Sequence, residues 1–524
     1  MDTETRNTIR HSHAVGRSLV LTLCVLGLVL PLLACDPIPA VAPKPVILCD
    51  PADDALDMPA QVQAQVDSGH FAQATDLLEQ ALADAKLTPA QRRDLEFERE
   101  RMRRIRMDFT LDRDAAIARA RRVAPDLTEA QFDAFDAQGL IESMRIDGQR
   151  YYFNRAPYNL FRVSAEARAL RPDPDLAFDD GPYTRLHPHH TEVLEAANDS
   201  SSRFAPAQRV RITQSLTVDA DAVPAGETIR VWIPYPRLIP GQQQNLELIA
   251  TEPARHYLAP DSQLQRTVYL EKPAVAGESV PFSITYELDI AAQHVAIDPD
   301  RIEPVPNDPE LAPFLAEEPP HVVFTEALRL YSVQVVGAET DPYRIVQKLF
   351  AAVDTIPWGG AREYSTIRNL SDYALQSDHA DCGQQTLLLI ALLRLNGIPA
   401  RWQSGWVFSR ADEGHANLHD WGLVYLAPYG WVPMDVTTGL LDSADPSLRW
   451  FYLGGLDGYR IAFNDAISMP FDPPKQFFRS ETVDSQRGEA EWRGGNLYFD
   501  QWDYGFEATI LSVPAAPSTA GEHP

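Results

Sequence analysis

Cysteine is scarce in this chain: Cys24, Cys35, Cys49 and Cys382 are its only four in 524 residues, and three of them fall within the first fifty. That distribution excludes a disulfide framework, and a chain of this length builds hydrophobic cores without covalent staples. Basic charge is short as well. Lys and Arg number 46 against 74 Asp and Glu, a formal charge of −28. Phosphate backbones are held by clustered cations, so the composition argues against a nucleic-acid partner, and the acidity reads as a solvated surface. After Leu33 no stretch reaches the roughly 18 continuous apolar residues of a membrane-spanning helix. What is plentiful is proline, 42 residues with 27 glycines, which predicts many turns and strand edges rather than one long helical bundle.

Arg6, Arg10 and Arg17 precede the apolar stretch Leu19 to Leu33, the charged-then-apolar order of a secretory signal. The stretch ends Leu32-Leu33-Ala34-Cys35, which resembles the lipobox of bacterial lipoproteins. The resemblance implies cleavage before Cys35 and lipidation of its thiol, an anchorage in which each buried methylene contributes roughly 0.8 kcal/mol. Cys24 is then removed with the peptide, and Cys49 is left without an obvious partner. Pro37, Pro39, Pro43 and Pro45 mark a stiff tether. The expected location is the cell envelope, with the membrane as a partner through the lipid anchor and the soluble part facing the periplasm.

The pattern predicts an α+β chain of several domains: a signal peptide (1–34), a tether (35–58), a helical domain (59–200), a β-sandwich (205–300), a mixed catalytic core (309–447) and a β-rich C-terminal extension (448–524). Phe71, Ala74, Leu77, Leu78 and Leu82 recur at helical spacing. Ser68-Gly69-His70-Phe71 resembles part of one tetratricopeptide-type hairpin, with no second copy at a fixed period. Arg101, Arg103, Arg104 and Arg106 lie close to Glu96, Glu98 and Glu100, which predicts a salt-bridged, solvated helix face. Farther on the period changes to two: Val210, Ile212, Leu216 and Val218, then Ile229, Val231 and Ile233, then Phe282, Ile284, Tyr286, Leu288 and Ile290, as in half-buried antiparallel strands. The aromatic tail, with Trp492, Tyr498, Phe499, Trp502 and Tyr504, reads as short strands and turns packed on the core.

Cys382 opens the run Leu387 to Leu395, whose length, sparse β-branching and terminating Asn396-Gly397 predict a helix. Asp381 is its natural cap. A thiol at a helix N-terminus gains from the dipole and the open N–H groups, which predicts a lowered pKa and donors for an oxyanion. Such a thiol needs an imidazole, and the imidazole needs a partner that fixes its tautomer. His419 and Asp435 fit, because His419 to Tyr425 and Gly430 to Asp435 read as neighbouring antiparallel strands that set the two side by side. His379 and His415 read as loop residues. Asp378, His379, Asp381 and Cys382 lack the paired Cys or His arms of a zinc site, so no metal and no cofactor is expected.

Asp381-Cys382-Gly383, Leu393-Arg394, Gly397-Ile398-Pro399-Ala400-Arg401, His419-Asp420-Trp421 and Gly430-Trp431-Val432-Pro433-Met434-Asp435 together resemble the core motif of the transglutaminase-like superfamily. The likeness covers about residues 340 to 445. It implies a papain-like core with Cys382 as nucleophile, His419 as acid/base and Asp435 as the orienter of His419. Val231-Trp232-Ile233-Pro234-Tyr235-Pro236 is similar to the sandwich that often precedes this core in bacterial members. Asp420 departs from the pattern, where Ala is commoner, and is a competitor for the imidazole. The implied chemistry is acyl transfer through a thioester, to water or to an amine, on a protein or peptide substrate. The competing expectation is a non-catalytic envelope binding or assembly lipoprotein with a vestigial triad.

Overall fold

Helical spacing at the start of the chain buries one stripe: Phe71, Ala74 and Leu78 are enclosed within the Phe71–Leu82 helix, as an amphipathic face requires. The computed structural model describes residues 58–176, 178, 186–199, 202–409 and 416–512. Cys24, Cys35, Cys49 and His415 lie outside the described residues, as do the signal peptide and nearly all of the tether. All described residues fall in one unit, residues 47–524.

The next helix, Pro89–Asp108, starts at a capping box in which Thr88 and Gln91 satisfy each other's backbone N–H groups. Its basic cluster is not simply a solvated face. Arg103 pairs with Glu100 and Asp500 near the surface, but Arg104 is fully buried and donates to the carbonyls of Arg479 and Ser480. The Arg104 guanidinium lies 4.0 Å from the centre of the Tyr498 ring. The solvated expectation fails because this helix is covered by a distant part of the chain, which spacing along one helix does not reveal. The helical region also holds a small antiparallel sheet in the order 109–111, 149–153, 143–146. Asp147-Gly148 turns its hairpin with both residues at positive φ, 49° and 83°, the backbone that a two-residue type I′ turn needs.

The period-two segments form a two-sheet sandwich. Strands Gln208–Val218 and Val280–Ile290 pair antiparallel with Val210 opposite Leu288, Ile212 opposite Tyr286 and Leu216 opposite Phe282. All six point into the core. The aromatic tail completes both sheets: Trp502–Ser512 pairs with Gln208–Val218, and Glu489–Trp492 pairs with Thr228–Pro234. The sandwich is therefore closed by strands far apart in sequence, Thr228–Pro234 and Gln208–Val218 with segments from the C-terminal tail.

Between these sandwich segments lies a helical layer on a four-stranded antiparallel sheet, ordered 430–434, 416–426, 400–408, 460–464. The Cys382–Leu395 helix is buried from Gly383 through Arg394. An all-round apolar helix of this kind must be enclosed on every side, and here helices Glu326–Val336, Pro342–Asp354 and Leu370–Gln376 pack around it with the sheet. Its C-terminus ends at Gly397, φ 74°, where the left-handed backbone favours glycine. The architecture is α+β. Among the described residues no helix is long and apolar enough to cross a membrane.

Candidate active site

Strand alternation separates two neighbours of the site. His419 pairs with Gly405 and Asp420 with Ser404 in the antiparallel register, and successive side chains leave opposite faces of a strand. His419 shares its face with Trp421, their rings stacked at 6.0 Å. Asp420 turns toward the Cys382 helix, where Thr386 Oγ1 donates to its backbone carbonyl at 3.3 Å.

His419 and Asp435 meet. The strand pairing Val424–Val432 and Gly422–Met434 carries Asp435 to the edge of the next strand, and His419 Nε2 lies 2.8 Å from its Oδ2. Asp435 also accepts from the Thr438 N–H, from Thr438 Oγ1 and from Arg460 Nη1 at 3.1, 2.8 and 3.0 Å. Burial alone would raise its pKa. The imidazole of His419 and the guanidinium of Arg460 outweigh burial and hold the carboxyl below its ordinary range. A buried, anionic carboxylate fixes the orientation of the ring bonded to it.

Cys382 occupies the first position of its helix, and Asp381 caps it as the sequence predicts. The Asp381 carboxylate accepts from the Gln384 N–H, and the Gln384 side chain accepts from the Asp381 N–H, both at 3.1 Å. The thiol, however, donates to Asp420 Oδ2 at 3.2 Å and makes no hydrogen bond to His419. Its pKa is not lowered. Burial pushes it well up, and the carboxyls of Asp420 and Asp381 push it farther. The helix terminus is where the sequence places it, but burial and the two carboxyls outweigh a dipole that is worth about 0.3–1 kcal/mol.

One cavity of about 490 Å³ is lined by Cys382, His419, Asp420, Arg460, Tyr364 and Arg487 among others. Several of these carry no sequence motif. Arg460 sits in the fully buried strand Arg460–Asn464, where a lone cation inside an otherwise apolar-looking run is the one signal that it needs buried carboxylates; it bonds Asp435 and Asp457. Asp484 and Gln486 come from a long connection and both reach Asp420. Tyr364 donates to Asp381 at 2.8 Å and lies 3.4 Å from Asp420. His379 stays out of this cluster: it is buried, with Nε2 3.0 Å from Asn159 Nδ2. Among the described residues no group of three or more His, Cys, Asp or Glu side chains is arranged to hold a metal ion.

Comparison with known proteins agrees with the core motif. Residues 329–436 match the family model of the transglutaminase-like superfamily. No curated protein sequence matches the chain. Two solved structures are similar in part. One, from Cytophaga hutchinsonii, is named "putative cysteine protease"; it shares 16% identity at a TM-score of 0.40, over 60% of this chain and 94% of its own. The other, from Parabacteroides distasonis, is named "putative protease"; it shares 10% identity at a TM-score of 0.18, over 49% of this chain and 68% of its own. The part of the chain that matches the transglutaminase-like superfamily is therefore residues 329–436, which include Cys382, His419 and Asp435.

Proposed function

We propose that the protein is a thiol enzyme of the cell envelope that transfers or hydrolyses an acyl group at an amide bond of a protein or peptide. One observation carries the reading: His419, held 2.8 Å from the buried Asp435, lines the same cavity as Cys382 at the start of its helix. Cys382 attacks the amide carbonyl carbon, and its proton passes to His419. A C–S bond forms, His419 returns the proton to the leaving nitrogen, and the C–N bond breaks. Water or an amine then attacks the thioester and the C–S bond breaks, restoring the thiol. Asp435 keeps the imidazole in the tautomer that this shuttle needs. The N–H groups of the first turn at Cys382 are the donors for the oxyanion. Anchoring through lipidated Cys35 places the site at the envelope; palmitate labelling of the wild-type chain that persists in Cys35→Ser would contradict that part.

The test is mass spectrometry of the full-length protein with a glutamine-containing peptide, with and without a primary amine. Hydrolysis converts the amide to an acid in both mixtures, whereas amine transfer replaces the ammonia released with the amine in the second, a gain of the amine's mass less that of ammonia. Both products are expected to vanish in Cys382→Ala, and product formed equally by that variant would overturn the reading. The thiol's bond to Asp420 in place of His419 favours a second reading, a non-catalytic binding or assembly lipoprotein, which predicts no product in either mixture.

A further inference from the structure

Asp420 is the residue that departs from the family pattern, and it is the residue on which the thiol rests. Its carboxyl is 2% exposed. One oxygen takes the Cys382 thiol at 3.2 Å and lies 3.4 Å from Tyr364 Oη, while the other accepts from Gln486 Nε2 at 2.8 Å. The buried carboxyl of Asp484 is near enough that its charge raises the pKa of Asp420. Two buried carboxyls this close resist ionising together. Asp484 is fixed in turn by Ser404 Oγ at 2.5 Å. A side chain held by this many partners has one orientation, and it presents an acceptor to sulfur on the strand face opposite His419.

We propose that Asp420 is a positioning residue that holds the Cys382 thiol neutral and at rest, so that attack begins only when the thiol moves from Asp420 to His419. The proposal rests on the catalytic reading of Cys382 and His419. His419 and Asp420 are neighbours on one strand, and both line the same cavity as Cys382, so the exchange carries the thiol from the carboxyl to the imidazole within that cavity. No bond other than the S–H···O contact is broken; the proton stays on sulfur until His419 receives it. A substrate that fills the cavity and displaces the thiol from Asp420 would couple its own binding to activation.

The charged surroundings favour the resting state. From the helix start Asp381 faces the thiol, and Tyr364 faces both carboxyls from its short turn. The 479–487 connection brings Glu481 beside Asp484, with Arg479 and Arg487 countering them. Glu363 and Arg155 act on Asp381 with opposite signs. Burial raises both Asp420 and the thiol, consistent with an S–H donor resting on the Asp420 carboxyl.

The experiment is the pH profile of iodoacetamide alkylation at Cys382 in the full-length protein, read on the Cys382 peptide so that Cys35 and Cys49 do not interfere. Asp420→Asn keeps the size and an acceptor but removes the charge, and Asp420→Ala removes the contact. With the fold intact by circular dichroism, both variants are expected to move the alkylation midpoint to lower pH, and alkylation at pH 7 to rise about tenfold for each unit of that move. An unchanged midpoint in folded Asp420→Asn overturns the proposal, even if Asp420→Ala fails to fold. His419→Ala separates the two claims. If it abolishes turnover while Asp420→Asn leaves the profile unchanged, the enzyme reading stands and this inference falls. If Asp420→Asn shifts the profile while His419→Ala changes neither reactivity nor turnover, the resting contact is real but does not serve catalysis, which overturns the proposal as well.

Discussion

Arg460 Nη1 lies 3.0 Å from Asp435 Oδ2, the same oxygen that meets His419 Nε2 at 2.8 Å. The arrangement is a buried chain of charge from imidazole to carboxylate to guanidinium, continued to Asp457. Removing the cation leaves two buried carboxylates without their partner, a loss on the order of 3–5 kcal/mol. Arg460→Met is therefore expected to lower unfolding stability by about that amount and to reduce turnover through a looser Asp435. Denaturant unfolding and steady-state rates check both. Arg460→Lys, which keeps charge but not the fork, is expected to recover part of the stability.

The His419–Asp435 pair itself predicts a graded loss. General acid–base catalysis contributes roughly 10²–10⁴-fold. His419→Ala is expected to lower turnover within that range, and Asp435→Asn to do so without unfolding the chain, because Thr438 and Arg460 still border the site. Equal turnover in Asp435→Asn and wild type would mean that the pair is structural only.

Arg104 tests a long-range link. Its guanidinium is buried against the carbonyls of Arg479 and Ser480, while Ser480 and Glu481 line the cavity. Arg104→Ala removes charged donors from buried acceptors, at about 1.5–3 kcal/mol. The expected outcome is lower thermal stability together with a raised KM, as the 479–487 connection loosens. A stability loss with unchanged KM would show that the helix braces the fold without setting the site.

Asp108 predicts a pH effect away from the chemistry. Burial, aided by the negative charge of Glu363, raises its pKa to about 7. A carboxyl raised on folding adds stability that is complete below its unfolded value near 3.8 and is lost as pH rises through about 7. Asp108→Asn preserves an acceptor for the Glu363 N–H and Thr366 Oγ1 and carries no such loss. The variant is expected to gain stability relative to wild type between about pH 4 and pH 7 and to hold the gain above. A difference that stays constant from pH 4 to pH 8 would contradict the assignment.

Much of this molecule was legible in the chain because it depends on local period and short motifs. The alternation at Val210 to Val218 and Phe282 to Ile290 marked two paired strands, and Asp381-Cys382 with Asn396-Gly397 marked both ends of a helix. The spacing of His419 and Asp435 was enough to bring them together. Three features were not legible, and all depend on contacts between distant segments. Arg104 reads as solvated until residues 479 and 480 cover it. Asp420 becomes the thiol's partner because strand alternation sends it, and not His419, toward the helix. Arg460, Asp484 and Gln486 reach the site from beyond the last motif. The direction of the thiol's pKa is hidden for the same reason: the helix terminus is a local feature, whereas the burial and the Asp420 carboxyl that oppose it come from the tertiary fold.

In the proposed reaction Cys382 carries the acyl group during turnover and His419 makes it able to do so. The most direct measurement is the mass of the Cys382 peptide after acid quenching of full-length protein turning over a glutamine-containing peptide. An acyl adduct that hydroxylamine removes is expected on Cys382 in wild type, and none in His419→Ala. Product formation with no adduct at Cys382 under any quench time, or an equal adduct in wild type and His419→Ala, would contradict it.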